Sequence, residues 1–335
     1  MKKIFGLIIF AGIGLAGFAQ AAFIRSGNGS TTVYRSLDSV VANYQAGDTI
    51  YLPGGTFQVG NVVFTKKVVV YGAGHYPDSA AATGRTVLNG NMNITATASQ
   101  SMFQGIYLSG SISLGTDAAS SNVNGLVIQR CNVSDITLAV NDNYNSLAEN
   151  VMIRESVIRS NVNVRYAKDV LIENNFINGA LYNTNGSVKV SNNIIFGNGH
   201  ALYVVSSVLF ENNIFYQAGT FQYASGSNTF RNNVFRMASP LIGSDIGENN
   251  LFSVTSLFVQ TATAFDYGIN FHLIAGSPAI GAGKGGTDCG IYGGPRAYKE
   301  AALPTNPHVR SKAISDNTNA SGQLQVQVTV VAQSN

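Results

Sequence analysis

The stretch Val208-Leu209-Phe210-Glu211-Asn212-Asn213-Ile214-Phe215 decides how this chain is read. An alternating apolar run leads to a polar residue and an Asn pair, and two apolar residues follow. The same phrase stands at Leu171-Ile172-Glu173-Asn174-Asn175-Phe176-Ile177, at Val188-Lys189-Val190-Ser191-Asn192-Asn193-Ile194-Ile195 and at Thr229-Phe230-Arg231-Asn232-Asn233-Val234-Phe235. A shorter copy is Glu248-Asn249-Asn250-Leu251-Phe252, and two earlier copies carry Cys131 and Ser156 in place of the second Asn. That position recurs at 131, 156, 175, 193, 213, 233 and 250, in steps of 17 to 25 residues. A period of this size marks a stack of similar units.

Each apolar run is short, alternating, and β-branched or aromatic, which is the signature of a strand. No helix-length amphipathic segment separates the runs, so helical and leucine-rich repeats are excluded. A unit of about 20 residues with two or three short strands, stacked on its copies at about 4.8 Å, is a parallel β-helix. The Asn pairs suit such a stack. Asn tolerates the left-handed backbone of a sharp bend, and amides at equivalent positions hydrogen-bond along the column. The pattern therefore predicts an all-β fold with an asparagine ladder that is structural rather than a ligand site.

Composition agrees. Of 335 residues 37 are charged, or 11%, against roughly 25% in an ordinary domain. Stacked units explain the scarcity, because like charges in register repel. The 18 Phe and 15 Tyr exclude a disordered chain, and the low charge excludes a coiled coil. Lys2, Lys3, the apolar run Ile4 to Phe18 and Ala19-Gln20-Ala21 read as a secretory signal peptide over 1–21. Its removal takes two lysines, lowers the formal charge from +3 to +1, and leaves no membrane span. A chain so near neutral has no electrostatic attraction for nucleic acid. Residues 22–300 are expected to form the β-helix with an N-terminal cap, and 301–335 a linker and strand tail. Ser36 is placed to N-cap a short helix carrying Leu37, Val40, Val41 and Tyr44, with Gly47 as its stop. Lys67 to Tyr71 reads as a strand and Gly74 to Asn91 as a loop beside that helix. The alternation over 323–330 reads as a half-buried strand that caps the open end or adds to a partner's sheet edge. Cys131 and Cys289 read as two buried free thiols, with a single bridge as the alternative.

Ser36 and the run Ala46-Gly47-Asp48-Thr49-Ile50-Tyr51-Leu52-Pro53-Gly54-Gly55-Thr56-Phe57 resemble the N-terminal cap and first coil of pectin-lyase-like right-handed β-helix proteins. Val69 to Tyr76 is similar to the second coil of secreted bacterial members. Phe271 to Gly283 and Thr287 to Gly294 are similar to their last coil. The resemblance spans about residues 30 to 300 and implies right-handed winding, the usual hand of parallel crossovers. It implies little about activity, because the fold hosts lyases, hydrolases and adhesins.

Chemistry has three places to reside. The outward row Gln129, Arg154, Glu173, Ser191, Glu211, Arg231 pairs opposite charges, with Glu173 and Glu211 flanking Ser191 as a weak metal or sugar site. Arg159, Arg165 and Lys168, with Tyr166, form a basic cluster suited to an acidic glycan, and Arg165 or Lys168 would be the base of an elimination. The acids of the same span, among them Asp135, Glu149, Glu155 and Asp169, nearly balance it. Tyr166, Tyr182, Tyr203, Tyr216 and Tyr223 are placed to stack on sugars or to pack inside. His75, His200, His272 and His308 share no metal-ligand spacing. No metal or other cofactor is expected, and calcium enters only with a lyase. The expectation is an exported, non-catalytic protein of the cell surface or medium, structural, adhesive or glycan-binding, whose partner is a polysaccharide or surface component. The alternative is a polysaccharide lyase acting on an acidic glycan.

Overall fold

In a computed structural model the described residues are 23–117, 119–139, 148–165, 167–184, 187–197, 199–216 and 219–332. The expected leader and Tyr166 lie outside them. Among these residues the fold is all-β apart from one seven-residue helix and three short 3-10 turns. Two long sheets of 12 and 15 strands run through it, parallel except at the first end. Each repeat adds one strand to the first sheet and, from Tyr107 to Tyr223, two to the second. This is the arrangement a β-helix-like fold requires. The sequence row is kept in register, since Gln129, Arg154, Glu173, Ser191, Glu211, Arg231 and Glu248 pair one after another in the first sheet.

The two residues of each Asn pair do different things. The first supplies the left-handed bend, with φ of 54° at Asn174, 56° at Asn192, 59° at Asn212 and 54° at Asn232. Arg130 and Glu155 take the same conformation at the earlier copies. The second turns inward. Asn175, Asn193, Asn213 and Asn233 are fully buried. Each backbone N–H donates to the side-chain oxygen one repeat on, from Asn175 to Asn193 at 2.8 Å and from Asn193, Asn213 and Asn233 onward at 2.9 Å. Each Nδ2 donates to that same oxygen and to a main-chain carbonyl of the previous repeat, for example Asn193 to Ile172. Ser156 and Cys131 continue the column through the Ser156 hydroxyl. Beside it the interior is apolar, with Phe210 stacked on Phe230 at 4.8 Å and Phe215 on Phe235 at 4.9 Å.

The apolar pair after each Asn pair is split between two cores. Ile158, Ile177, Ile195, Phe215 and Phe235 face the interior. Val157, Phe176, Ile194, Ile214 and Val234 face outward into a second core with Leu257, Phe258, Phe271, Ala279, Cys289, Ile291 and Tyr298. Residues 257–305 thus form a strap that returns along the stack. It meets the bend residues in reverse order: Asn232 Nδ2 donates to Ala282, Asn212 Oδ1 accepts from the Lys284 N–H, and Asn174 Nδ2 donates to Ile291 and Gly293. Further on, the Arg130 guanidinium, buried with Glu155 at 2.7 Å, donates to the Leu303 carbonyl. The stretch resembling a last coil therefore does not add another strand layer. Its short apolar residues cover the outer face of earlier repeats instead.

The N-terminal expectations hold in part. Ser36 caps a helix over Leu37–Asn43, with Leu37, Val40 and Tyr44 buried and Gly47 at φ 90° beyond it. Before it, Phe23–Gly27 and Ser30–Tyr34 form an antiparallel hairpin on the first sheet. Val68–Tyr71 is a strand. Only residues 74–85 of the expected loop lie outside strands, because Thr86–Ile94 pairs over its length with Gly55–Phe64. The tail differs more. Val326–Val331 pairs with His308–Ile314 as a two-stranded ribbon, and it is exposed rather than half-buried against the stack. Among the described residues no helix is long and apolar enough to cross a membrane.

Cys131 and Cys289 are both free and buried, and burial pushes each thiol up to about 12. A thiol that stays protonated and shielded does not attack a reagent. Titration of the native protein with a disulfide reagent at pH 8 should therefore find neither thiol, and titration in denaturant should find both. Rapid modification of the native protein, or no thiol after denaturation, would contradict this arrangement.

Candidate functional site: a groove beside a tyrosine stack

Where the second sheet turns between its two strand columns, the corner is concave. Small residues permit the turn: a Cβ on Gly179 would stand 2.5 Å from the Ser160 carbonyl oxygen. On one side of the corner Arg159, Asn178, Phe196, Tyr216 and Arg236 stack in consecutive repeats, each N–H donating to the repeat before. On the other side Asn163, Tyr182, Tyr203 and Tyr223 pair in register. The strap closes the rim with Thr263 and Ala264, leaving an open groove of about 630 Å³. From Arg159 to Arg236 is four repeats, about 19 Å at the inter-strand spacing.

The tyrosines form a surface stack. Tyr182 and Tyr203 are 4.9 Å apart, Tyr203 and Tyr223 4.7 Å apart with rings 15° from parallel, and His200 stands edge-on at 5.7 Å from Tyr223. Tyr223 is 51% exposed. Of the five tyrosines singled out in sequence these three come together outside, whereas Tyr216 is buried beneath Arg236, whose guanidinium lies 4.9 Å over its ring. At the other end Arg159 lies 4.6 Å over Tyr107 and donates to Asn132 and to the Leu108 and Ser109 carbonyls. Arg85 covers the same Tyr107 ring at 5.3 Å. No Asp or Glu is among the described residues lining the groove.

Behind Arg159 sits a buried polar knot. Asn132 Nδ2 donates to the Tyr267 hydroxyl at 2.8 Å, and that hydroxyl shares a 3.1 Å hydrogen bond with His75 Nδ1. Burial, with the Arg85 and Arg159 charges, pushes the His75 imidazole down to about 3. Burial pushes the Tyr267 hydroxyl up to about 12. Both are neutral near pH 7, so the knot offers hydrogen bonds and cationic faces rather than an ionised acid or base. Sequence reasoning set His75 aside, and no short-range spacing ties it to Tyr267, 192 residues away.

The other candidates separate. Arg159 stands in the connection between Val157–Ile158 and Val162–Asn163, and Arg165 and Lys168 in the next connection. Lys168 pairs there with Glu149 at 2.7 Å, and the Arg165 N–H donates to Asn163. The basic trio does not converge. Glu211 is buried, not an exposed neighbour of Arg231, because Lys189 and Lys284 hold it at 2.7 and 3.2 Å. Burial alone would raise its carboxyl, but the two lysines keep it below the usual range. Arg231 turns to Glu248 instead, at 2.8 Å. Arg154 donates to Gln129 rather than to Glu173, and Arg296 of the strap is 3.8 Å from Glu173. The strap, invisible to the repeat pattern, supplies two of these partners, Lys284 and Arg296. Among the described residues no three His, Cys, Asp or Glu side chains gather to hold a metal. Comparison with protein-family models finds no match for this chain, and comparison with curated proteins finds none either.

Because His75 is neutral when folded and titrates near 6.5 when unfolded, the unfolded state binds the extra proton between those values. Its contribution is fully present above about pH 6.5 and is lost as pH falls toward 3, at up to about 1.4 kcal/mol per pH unit. Urea unfolding at pH 7 and pH 5 should show a larger loss for the wild type than for His75→Gln. Equal losses would show that His75 is not held neutral.

Proposed function

We propose that this protein is an exported right-handed parallel β-helix of the pectin-lyase-like kind that binds a polysaccharide along the groove without cleaving it. The observation that carries the reading is the surface stack of Tyr182, Tyr203 and Tyr223, which starts at the groove with Tyr182 and runs outward to the exposed Tyr223. Stacked rings offer apolar faces at regular intervals with hydroxyls at their edges, the combination that a sugar's alternating C–H faces and hydroxyls match. Arg159 and Arg236 border the groove without a lining carboxylate to oppose them, which favours a chain bearing acidic substituents. The signal-like segment at 1–21 supports export to the cell surface or medium. The lyase alternative has less support, because Arg159 and Lys168 stand in different connections and His75 is held neutral.

Affinity electrophoresis through pectin, alginate and glycosaminoglycan gels, with absorbance followed for new unsaturated ends, tests this. At least one acidic polymer should retard the protein, with no growth in absorbance. Tyr203→Ala should weaken that binding about tenfold, about 1.4 kcal/mol, for the loss of one stacked ring. Arg236→Ala should weaken it and reduce its salt dependence. Failure of every polymer to retard the protein, or equal retardation of the variants, would overturn the reading. Steady formation of unsaturated ends would replace it with the lyase.

A further inference from the structure

The two ends of the stack each carry an apolar surface that is exposed among the described residues. At the first end is the ribbon. Its register sets Val309, Lys312 and Ile314 opposite Val330, Val328 and Val326, so that all six side chains share one face. Ile314, Val326, Val328 and Val330 on that face are each about half exposed. A two-stranded ribbon is marginal in water by itself, and this one is rooted at its base, where His308 and Val309 adjoin Ile24, Leu52 and Tyr71 and where His308, Arg310 and Val331 adjoin Asp78, Ser79 and Leu303. At the other end Ile246–Glu248 is the terminal strand of the 12-stranded sheet, with one edge unpaired. Ile242, Ile246 and Phe252 are exposed there, and Phe252 is the last ring of the Phe215–Phe235–Phe252 stack.

We propose that the ribbon of one molecule covers the far end of the stack in the next, joining copies of this chain head to tail. Both surfaces are apolar and both offer unpaired strand edges, so one contact buries the valines and extends the sheet. Charge selects this pairing over ribbon against ribbon. The ribbon carries Arg310 and Lys312, neither in an ion pair among the described residues. Two ribbons face to face would bring those cations together, whereas the far end presents Asp245, in no ion pair among the described residues, beside the mutually neutral Arg231–Glu248 pair. A contact between two different surfaces does not close on itself, so it generates open chains.

Sedimentation velocity over a concentration series tests the idea with full-length variants at exposed positions. The wild type should gain mass with concentration beyond a dimer. Val328→Asp and Ile246→Asp should each remain monomeric, with unchanged circular dichroism and melting temperature. Mixed in equal amounts, they should form a dimer and nothing larger, because the intact ribbon of one meets the intact end of the other. Phe252→Asp repeats the far-end test with a side chain outside the last strand. A wild type that stays monomeric throughout would overturn the proposal. So would an Ile246→Asp protein that assembles as the wild type does, which would point to ribbon against ribbon.

Discussion

A column of buried side-chain amides is the constraint on which the rest of this molecule depends. A sharp bend between two strands leaves main-chain groups pointing into an apolar interior, and each such group costs about 1–3 kcal/mol if unpaired. Asn175, Asn193, Asn213 and Asn233 each satisfy a main-chain carbonyl of the previous repeat, donate to the next amide oxygen and accept from the repeat before. The amide can do this only when repeats align residue for residue. The ladder therefore fixes register as well as satisfying the bend, and register in turn puts every outward residue above its counterpart.

The outer features follow from that alignment. The bend residue before each ladder Asn is held in the left-handed conformation, and its free amide becomes a docking point for the strap. The strap covers the outward apolar row of Phe176, Ile194 and Ile214, which would otherwise face water. By lying there it builds one rim of the groove and adds Lys284 to Lys189 at the buried Glu211. Register also places Tyr182, Tyr203 and Tyr223 ring over ring. The low charge of the chain belongs to the same logic, since a column repeats whatever residue it holds.

The repeat was legible because a period-2 strand and a bend requirement leave separate marks, so the ladder positions from 131 to 250 and the helix capped by Ser36 could be read directly. The strap was not. Its segments are irregular, and their partners lie 50 to 173 residues away, so no local pattern reveals them. One mark was present: both residues after each Asn pair are apolar, although a bare outer face needs only one. The tyrosine row was visible as residues but not as a surface, since Tyr216 falls in the column that Arg236 and Phe258 bury. The ribbon was half legible: the alternation over 323–330 marks a strand but says nothing of its partner, which the register shows to be His308–Ile314.

The most direct test of the account is a double-mutant cycle between Asn193 and Asn213 read by urea unfolding. If the amides act as one column, removing the first should make the second less valuable. Asn193→Ala and Asn213→Ala together should then cost less than the sum of the single losses, by about 1 kcal/mol or more. Additivity to within about 0.5 kcal/mol would mean that the two amides serve their own bends separately, and the ladder would not be what holds the repeats in register.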